Sequence, residues 1–425
     1  MLDVMIPSRT SLFFHADFRR FWAADSVSQA GAAVTLIALP LVAIGLLDAT
    51  PFETGLLVMF EYLAFLVIGL PAGAWVDRGS SRRVMIAGVL GRAVLMGSIP
   101  MAHWLGVLTL PQLYGVAFGV SVCTAFFDVA YQSYLPHLVD DGQLVEANVK
   151  LEATRSIAQV GGPGVGGALV GALTAPAAIV VDAAGFLAAA LLLTRVGSAG
   201  QGDDTRKIAG ESRLVQEIAE GLRFVFGHRT LRAITLTAAI SNLCGTVGAS
   251  MLLVLLNREL GLSPFLCGLV FAAEAVGALV GSLLTARMAS RLGQGPAMCL
   301  SVVVSGALWL LAVPMYQADW RFAVAVALQG LGWVVFMTFK INSVAFRQGV
   351  CPKPLLGRMT ASVRFVVWGA MPVGALLGSV LGQGLGAREA IWAGVVGELF
   401  AALPMLFSPL RTLRELPTAL TLPAR

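Results

Sequence analysis

Charge is scarce in this 425-residue chain: Asp, Glu, Lys and Arg together make up 12% of it, where soluble domains carry about 25%. So few charges cannot clothe a soluble protein of this length, which excludes a single soluble enzyme domain. Disorder is excluded too, because it needs low hydrophobicity and high charge. The five cysteines, Cys123, Cys244, Cys267, Cys299 and Cys351, are an odd number without disulfide or zinc spacing. Four of them lie in apolar segments and read as small hydrophobes. The four histidines, His15, His103, His137 and His228, are isolated, so no metal site is indicated. There is no G-x-S-x-G, H-E-x-x-H or paired intramembrane Asp motif, and no Walker P-loop. Neither an intramembrane enzyme nor direct drive by ATP is therefore expected. The first twenty residues are polar and aromatic ahead of a full-length apolar run, so no cleavable signal peptide is expected.

Hydrophobicity is what the chain has in excess: 57% of its residues are apolar and its mean hydropathy is +0.82. That composition fits about a dozen membrane spans of roughly 20 residues. They must be helices, because hydrocarbon leaves no partner for free backbone groups and the runs are too long for barrel strands. Apolar runs between breakers predict helices over 21–46, 54–76, 84–106, 110–135, 152–173 and 176–194 in the first half. The second half repeats the plan over 231–256, 264–287, 296–315, 321–345, 360–384 and 389–409.

The net charge of +5 comes from basic residues scattered between apolar runs, which does not make a nucleic-acid patch. Its cause is orientation in the bilayer. Of 29 Lys and Arg, only Arg258, Arg321 and Arg388 lie at the odd-numbered hairpin loops. The positive-inside rule then predicts both termini and the loop after helix 2 in the cytoplasm. The longest polar stretch, 195–229, divides a six-helix bundle over 1–194 from another over 230–425. It reads as a Gly/Ser/Asp-rich linker followed by an amphipathic interfacial helix, with Leu214, Ile218, Leu222 and Val225 on one face and Arg213, Glu217, Glu220 and Arg223 on the other.

An internal repeat supports two halves. At a shift of 213 residues, Pro51-Phe52 meets Pro264-Phe265, Gly55-Leu56 meets Gly268-Leu269, Glu61 meets Glu274, and Ser28-Gln29 meets Ser241-Asn242. At a shift of 209, Arg155 and Pro163 meet Arg364 and Pro372, as a change in loop length would produce. Parallel six-helix repeats are the plan of many secondary transporters, whose substrate site lies between the halves.

Two motifs carry a family resemblance. Gly73-Ala-Trp-Val-Asp77-Arg78-Gly79-Ser80-Ser81-Arg82-Arg83 resembles the Major Facilitator Superfamily loop signature G-x-x-x-D-R-x-G-R-[RK]. Gly73, Asp77, Arg78 and Arg82 match it, while Ser80 and Ser81 replace the usual Gly and Arg. Gly161-Gly162-Pro163-Gly164-Val165-Gly166-Gly167 in helix 5 resembles the superfamily's antiporter core G-P-x-x-G-G, matched at Gly162, Pro163, Gly166 and Gly167. The resemblance covers essentially the whole chain and looks closest to the bacterial drug and siderophore exporter branch. It implies an all-α fold of 12 transmembrane helices in two pseudo-symmetric six-helix halves, a cytoplasmic gate built on the first motif, and export instead of uptake from the second. The acidic residue that this branch often carries after Gly31 is Ala32 here.

Ionisable residues at bilayer depth are costly and are functional candidates by default. Arg92 and Asp128 stand at similar depth in helices 3 and 4, and a buried charge pair is expected of them, with a bridge from Asp128 to the Asp77, Arg78 and Arg82 group as the alternative. Glu61 and Glu274 occupy equivalent places in helices 2 and 8 without an evident basic partner. Desolvation favours the neutral form of such a carboxyl group, which can release its proton when a cavity opens to water. Glu61 is the first candidate for proton coupling, with Asp25, Asp182 and Glu274 behind it; helix packing is the alternative role for each. Arg155 and Arg364 are expected to snorkel or to anchor a gate. Many Phe, Trp and Met among few polar groups suit amphipathic or aromatic molecules better than sugars. The expected function is secondary active export of lipophilic small molecules, drugs or siderophore-like compounds, by proton antiport with alternating access. The expected protein is a monomer with no cofactor beyond the proton gradient. An uptake symporter or lysophospholipid flippase on the same scaffold, or a non-transporting receptor, are the alternatives.

Overall fold

The computed structural model describes residues 12, 15–68, 80–139, 143–197, 211–352 and 355–413. Among them no residue is in a strand, and twelve helices are long and apolar enough to cross a membrane. The first six are α1 (Ala16–Leu46), α2 (Pro51–Ile68), α3 (Ser81–Trp104), α4 (Leu110–Leu138), α5 (Leu144–Leu173) and α6 (Ala175–Thr194). After a linker helix (Glu211–Gly227) come α7 (Arg229–Leu253), α8 (Pro264–Leu292), α9 (Gln294–Ala312), α10 (Arg321–Val350), α11 (Leu356–Leu385) and α12 (Ala387–Ala401). Residues 69–76 of the expected second span lie outside the described residues.

Several helices run past the apolar stretch that predicts them. α1 begins at Ala16, α5 at Leu144 and α11 at Leu356, one to two turns early, and α10 continues to Val350. The extra turns are polar, and they fall on one face of the bundle, the linker face. Beyond the hydrocarbon, water accepts charged side chains without unwinding a helix, so composition marks the membrane boundary and not the helix end. On the other face α7 passes into a π-helical turn over Val254–Glu259. Turns of that width are frequent where a side chain must be re-aimed.

Packing partners repeat from half to half. α1 packs on α5 and α6, α3 on α4 and α6, and α2 on α4; α7 packs on α11 and α12, α9 on α10 and α12, and α8 on α10. The halves meet along α5 with α8 and α2 with α11, themselves an equivalent pair of crossings. Each half has its own apolar core, built in the first around Phe18, Phe21, Ile37, Met85, Met96 and Phe186. Opposite the linker face the cores merge: Ile44 of α1 joins a second-half cluster, and Phe271 of α8 touches both. Several hydroxyls inside the spans satisfy themselves locally. Thr124, Thr154, Thr246, Thr285 and Ser379 each donate to the carbonyl four residues back, which removes the cost of a free polar group in hydrocarbon.

The linker helix lies against α11. Val225 is buried, Glu220 Oε2 accepts from Arg358 Nη1 at 2.6 Å, and Gly221 faces the Arg358 carbonyl and Ser362 so closely that a Cβ would not fit. Of the expected amphipathic faces, the side chains of Arg213, Leu214, Glu217 and Ile218 lie outside the described residues. Glu220 pairs with α11 instead of facing water alone. An exposed ion pair contributes under about 1 kcal/mol, so Glu220→Ala is expected to leave thermal unfolding almost unchanged. Gly221→Val removes the close approach itself, and limited proteolysis is expected to cut the linker several-fold faster.

Candidate functional site

Opposite the linker face the halves touch backbone to backbone. Gly55 of α2 lies against Ser379 of α11, and its counterpart in the repeat, Gly268 of α8, lies against the Pro163 carbonyl of α5. Pro51 packs on Gly382, and Pro264 on Gly167. A Cβ at Gly55, Gly167 or Gly268 would overlap the facing helix, and one at Gly382 would overlap Met251 of α7. The same run binds α5 to α1, since Gly162 and Gly166 face Ala33 and Val34. Small residues are how helices approach in a membrane, where apolar side chains gain nothing over lipid. Two hydrogen bonds fasten this face: Arg258 Nη1, projected by the π turn, donates to the Ala49 carbonyl at 2.6 Å, and the Phe52 amide donates to Gln383 Oε1 at 3.4 Å.

Toward the linker face the same helices part around a cavity of about 640 Å³. Its walls come from both halves: Leu66 of α2, Asp128 and Tyr131 of α4 and Arg155 of α5, against Arg364, Phe365 and Trp368 of α11. Arg155, partly buried, and Arg364, exposed, thus line the space between the halves. Each guanidinium lies near an aromatic ring of its own half, Arg155 at 5.8 Å from the Tyr131 centroid and Arg364 at 5.9 Å from that of Trp368. The size suits a drug-sized ligand. A cavity of about 700 Å³ between α8 and α10, lined by Thr285, Arg291 and Asn342, belongs to one half alone, so rocking of the halves would not open or close it.

The expected Arg92–Asp128 ion pair is not formed. Arg92 is 3% exposed, and its guanidinium lies over the rings of Phe127 and Phe186, 4.7 and 4.9 Å from the centroids, with Nε and Nη2 unpartnered. Asp128 follows Phe127 in α4, and successive residues of a helix point about 100° apart. With Phe127 under Arg92, Asp128 is turned toward the cavity. Arg82 does not bridge to Asp128 either: its Nε and Nη2 donate to the Leu193 and Thr194 carbonyls, closing the free end of α6. Gly73, Asp77 and Arg78 lie outside the described residues.

The carboxyl candidates divide into two kinds. Asp25 and Asp182 are buried within the first half. Asp25 Oδ1 accepts from Gln29 at 3.4 Å; Asp182 accepts from Thr35, and its Oδ1 is tucked against Gly31. Each has one oxygen without a partner. α6 therefore supplies an acid beside Gly31, where Ala32 of α1 cannot. Glu398 of α12, absent from the sequence-based candidates, repeats the arrangement: it is 2% exposed, accepts from Ser241 of α7, and leaves Oε2 unpartnered. Glu61 and Glu274 are only partly buried. Gln329 Nε2 donates to Glu274 Oε1 at 2.8 Å, Ser121 donates to the Glu61 backbone carbonyl, and Tyr62 lies within electrostatic reach of both carboxyl groups.

The closed face gives a direct expectation. Cys267, beside Gly268, is buried. With the other four cysteines replaced by serine, it should react with a maleimide slowly in the parent protein and at least about tenfold faster in Gly167→Val, since reaction from the open state follows its population.

The sequence profile of the family described as "Transmembrane secretion effector" matches residues 8–422. The multidrug efflux pump Tap of Mycolicibacterium fortuitum is 26% identical over 403 residues, covering 92% of this chain and 94% of that protein. An uncharacterised MFS-type transporter of Bacillus subtilis, YfiS, is 24% identical over 88% of this chain and 86% of its own length. Among solved structures, a bacterial homologue of the iron transporter ferroportin in an inward-facing state superposes with a TM-score of 0.76 at 16% identity, covering 92% of this chain and 98% of that one. The nucleoside transporter NupG does so with a TM-score of 0.74 at 11% identity, over 92% and 99%. Twelve spans, equivalent halves and a profile match over nearly the whole length lead to one conclusion: this chain is a multi-pass membrane protein of the transmembrane secretion effector family, within the Major Facilitator Superfamily of transporters.

Proposed function

We propose that the protein is a secondary active exporter of lipophilic or amphipathic small molecules, drugs or siderophore-like compounds, working by proton antiport with alternating access in a bacterial inner membrane. The observation that carries this reading is the asymmetry of the inter-half contact. The antiporter-like glycines of α5 close one face against α1 and α8, while both halves line a cavity toward the other. With both termini in the cytoplasm, as the distribution of Lys and Arg favours, that cavity faces inward and is loaded from the cell. The efflux function named for the mycobacterial relative agrees with this direction.

For coupling, Glu61 is the leading group. It lies on α2, one of the helices that form the inter-half crossings, and has no side-chain hydrogen-bond partner among the described residues. Glu274, its counterpart, is held by Gln329. Asp25 and Asp182 are enclosed within the first half and gain water only if that half itself loosens. Proteoliposomes with an imposed pH gradient and a lipophilic fluorescent dye separate the alternatives. Export predicts dye movement against the proton flow, uptake predicts movement with it, and a receptor predicts none. Glu61→Gln is expected to cut pH-driven flux by about tenfold or more while dye affinity changes less than about twofold. Unchanged flux in that variant rejects Glu61 as the coupling group.

A further inference from the structure

We propose that the inter-half cavity selects amphipathic anions: molecules with a carboxylate, sulfonate or phosphate head, gripped between Arg155 and Arg364, and an aromatic or acyl body. This rests on the reading above that the cavity is the substrate site, and adds the charge of what it takes. The two arginines occupy equivalent positions in the repeat, one on each half, so their guanidiniums converge on the cavity from opposite walls. Neither makes an ion pair among the described residues. Asp128 is the only acidic residue on the described wall. Asp25 lies behind it at 1% exposure, and Glu152 is exposed one turn away from Arg155. Arg347 of α10, which does not line the cavity, stands within electrostatic reach of Arg364 and adds charge of the same sign.

Asp128 lies within electrostatic reach of both Arg155 and Arg364, and Asp25 within reach of Arg155, so two carboxyl groups face three guanidiniums, and an anion placed between the walls balances the positive charge that remains. Guanidinium is suited to the task, because its planar fork donates paired N–H bonds to carboxylate, sulfonate or phosphate oxygens. Phe365 and Trp368 keep 39% and 42% of their surface exposed on the same wall, which gives the apolar body of the ligand a place to lie. A lipophilic cation would meet two arginines against one aspartate. The placement also ties binding to motion: without an anion the facing arginines repel and hold the walls apart, and with one between them the walls can close.

The test uses the full-length protein in nanodiscs, without any gradient, and three fluorescent probes sharing one body: pyrenebutyrate, pyrenebutanol and pyrenebutyltrimethylammonium. Pyrenebutyrate is expected to bind about tenfold or more tightly than the other two, and Arg155→Gln or Arg364→Gln to weaken it about tenfold each. Arg→Lys at either position should retain part of the affinity, and Asp128→Asn should tighten it. Equal or tighter binding of the cationic or neutral probe overturns the proposal, as does unaltered affinity in folded Gln variants. If the Gln variants do not fold, the probe ranking on the parent protein decides. Competition distinguishes head from body: lysophosphatidate should displace pyrenebutyrate and inorganic phosphate should not, and displacement by phosphate alone overturns the amphiphile. Ala361→Trp fills the cavity wall and should abolish binding. Binding that survives it places the probe elsewhere, and the cavity reading fails with it. A failure of pH-driven flux, by contrast, removes the export reading and leaves the probe ranking standing.

Discussion

Everything in this molecule that can move depends on how closely two helices of one half approach two helices of the other. In water such an interface would be held by apolar burial, but in a bilayer lipid satisfies apolar side chains as well as protein does. What remains is dispersion between backbones brought into contact, and that requires positions without side chains. Gly55 and Gly268 supply them at equivalent places, and Gly167 supplies another against Pro264. A contact of this kind is tight while formed, yet among the described residues its fastening by polar side chains is peripheral, through Arg258 and Gln383. It can part without leaving charges stranded in hydrocarbon, which a buried ion pair at the same place could not.

Within each half the logic is reversed. Asp182 of α6 is bound to Thr35 of α1, and Glu398 of α12 to Ser241 of α7. These are buried acid–hydroxyl contacts joining the first and last helices of each bundle. Each also leaves one carboxyl oxygen without a partner, which is costly because no water reaches it to take the missing partner's place. Separating those helices would break the remaining hydrogen bond inside hydrocarbon. The bundles therefore resist internal rearrangement at the points where the inter-half crossings yield, as rigid-body rocking demands.

Much of this was legible in the residues before any coordinates, for physical reasons that differ by feature. Span number follows from hydropathy, because the bilayer imposes a length on every crossing helix. The pairing of halves follows from a register that keeps Pro51 with Pro264 and Glu61 with Glu274. Side-chain direction is another matter. Arg92 and Asp128 stand level along their axes, yet a one-residue step in α4 puts Phe127, not Asp128, against Arg92. Depth can be counted along a sequence; rotation about an axis is decided by neighbours distant in the chain. Glu398 escaped for a related reason. A constant shift of 213 carries Asp182 to Val395, while the acid that repeats its role lies three residues further on, nearly one helical turn away. Arg155 and Arg364 read as snorkelling or anchoring a gate because their positions near helix ends allow either, and only the packing of α11 beside α2 shows that they look inward.

The linker adds a constraint that neither half contains alone. On α11 the cavity-lining residues Gly357, Thr360, Ala361, Arg364, Phe365 and Trp368 recur at helical spacing and form a single stripe. Arg358 and Ser362, which receive the linker helix at Glu220 and Gly221, form the adjoining stripe. The linker is thus docked on the flank of the helix that forms the second-half wall of the cavity. Because Gly221 allows no slack against the Arg358 carbonyl, tilting α11 toward α2 must carry the linker helix with it. The linker helix is consequently packed as part of the second-half wall.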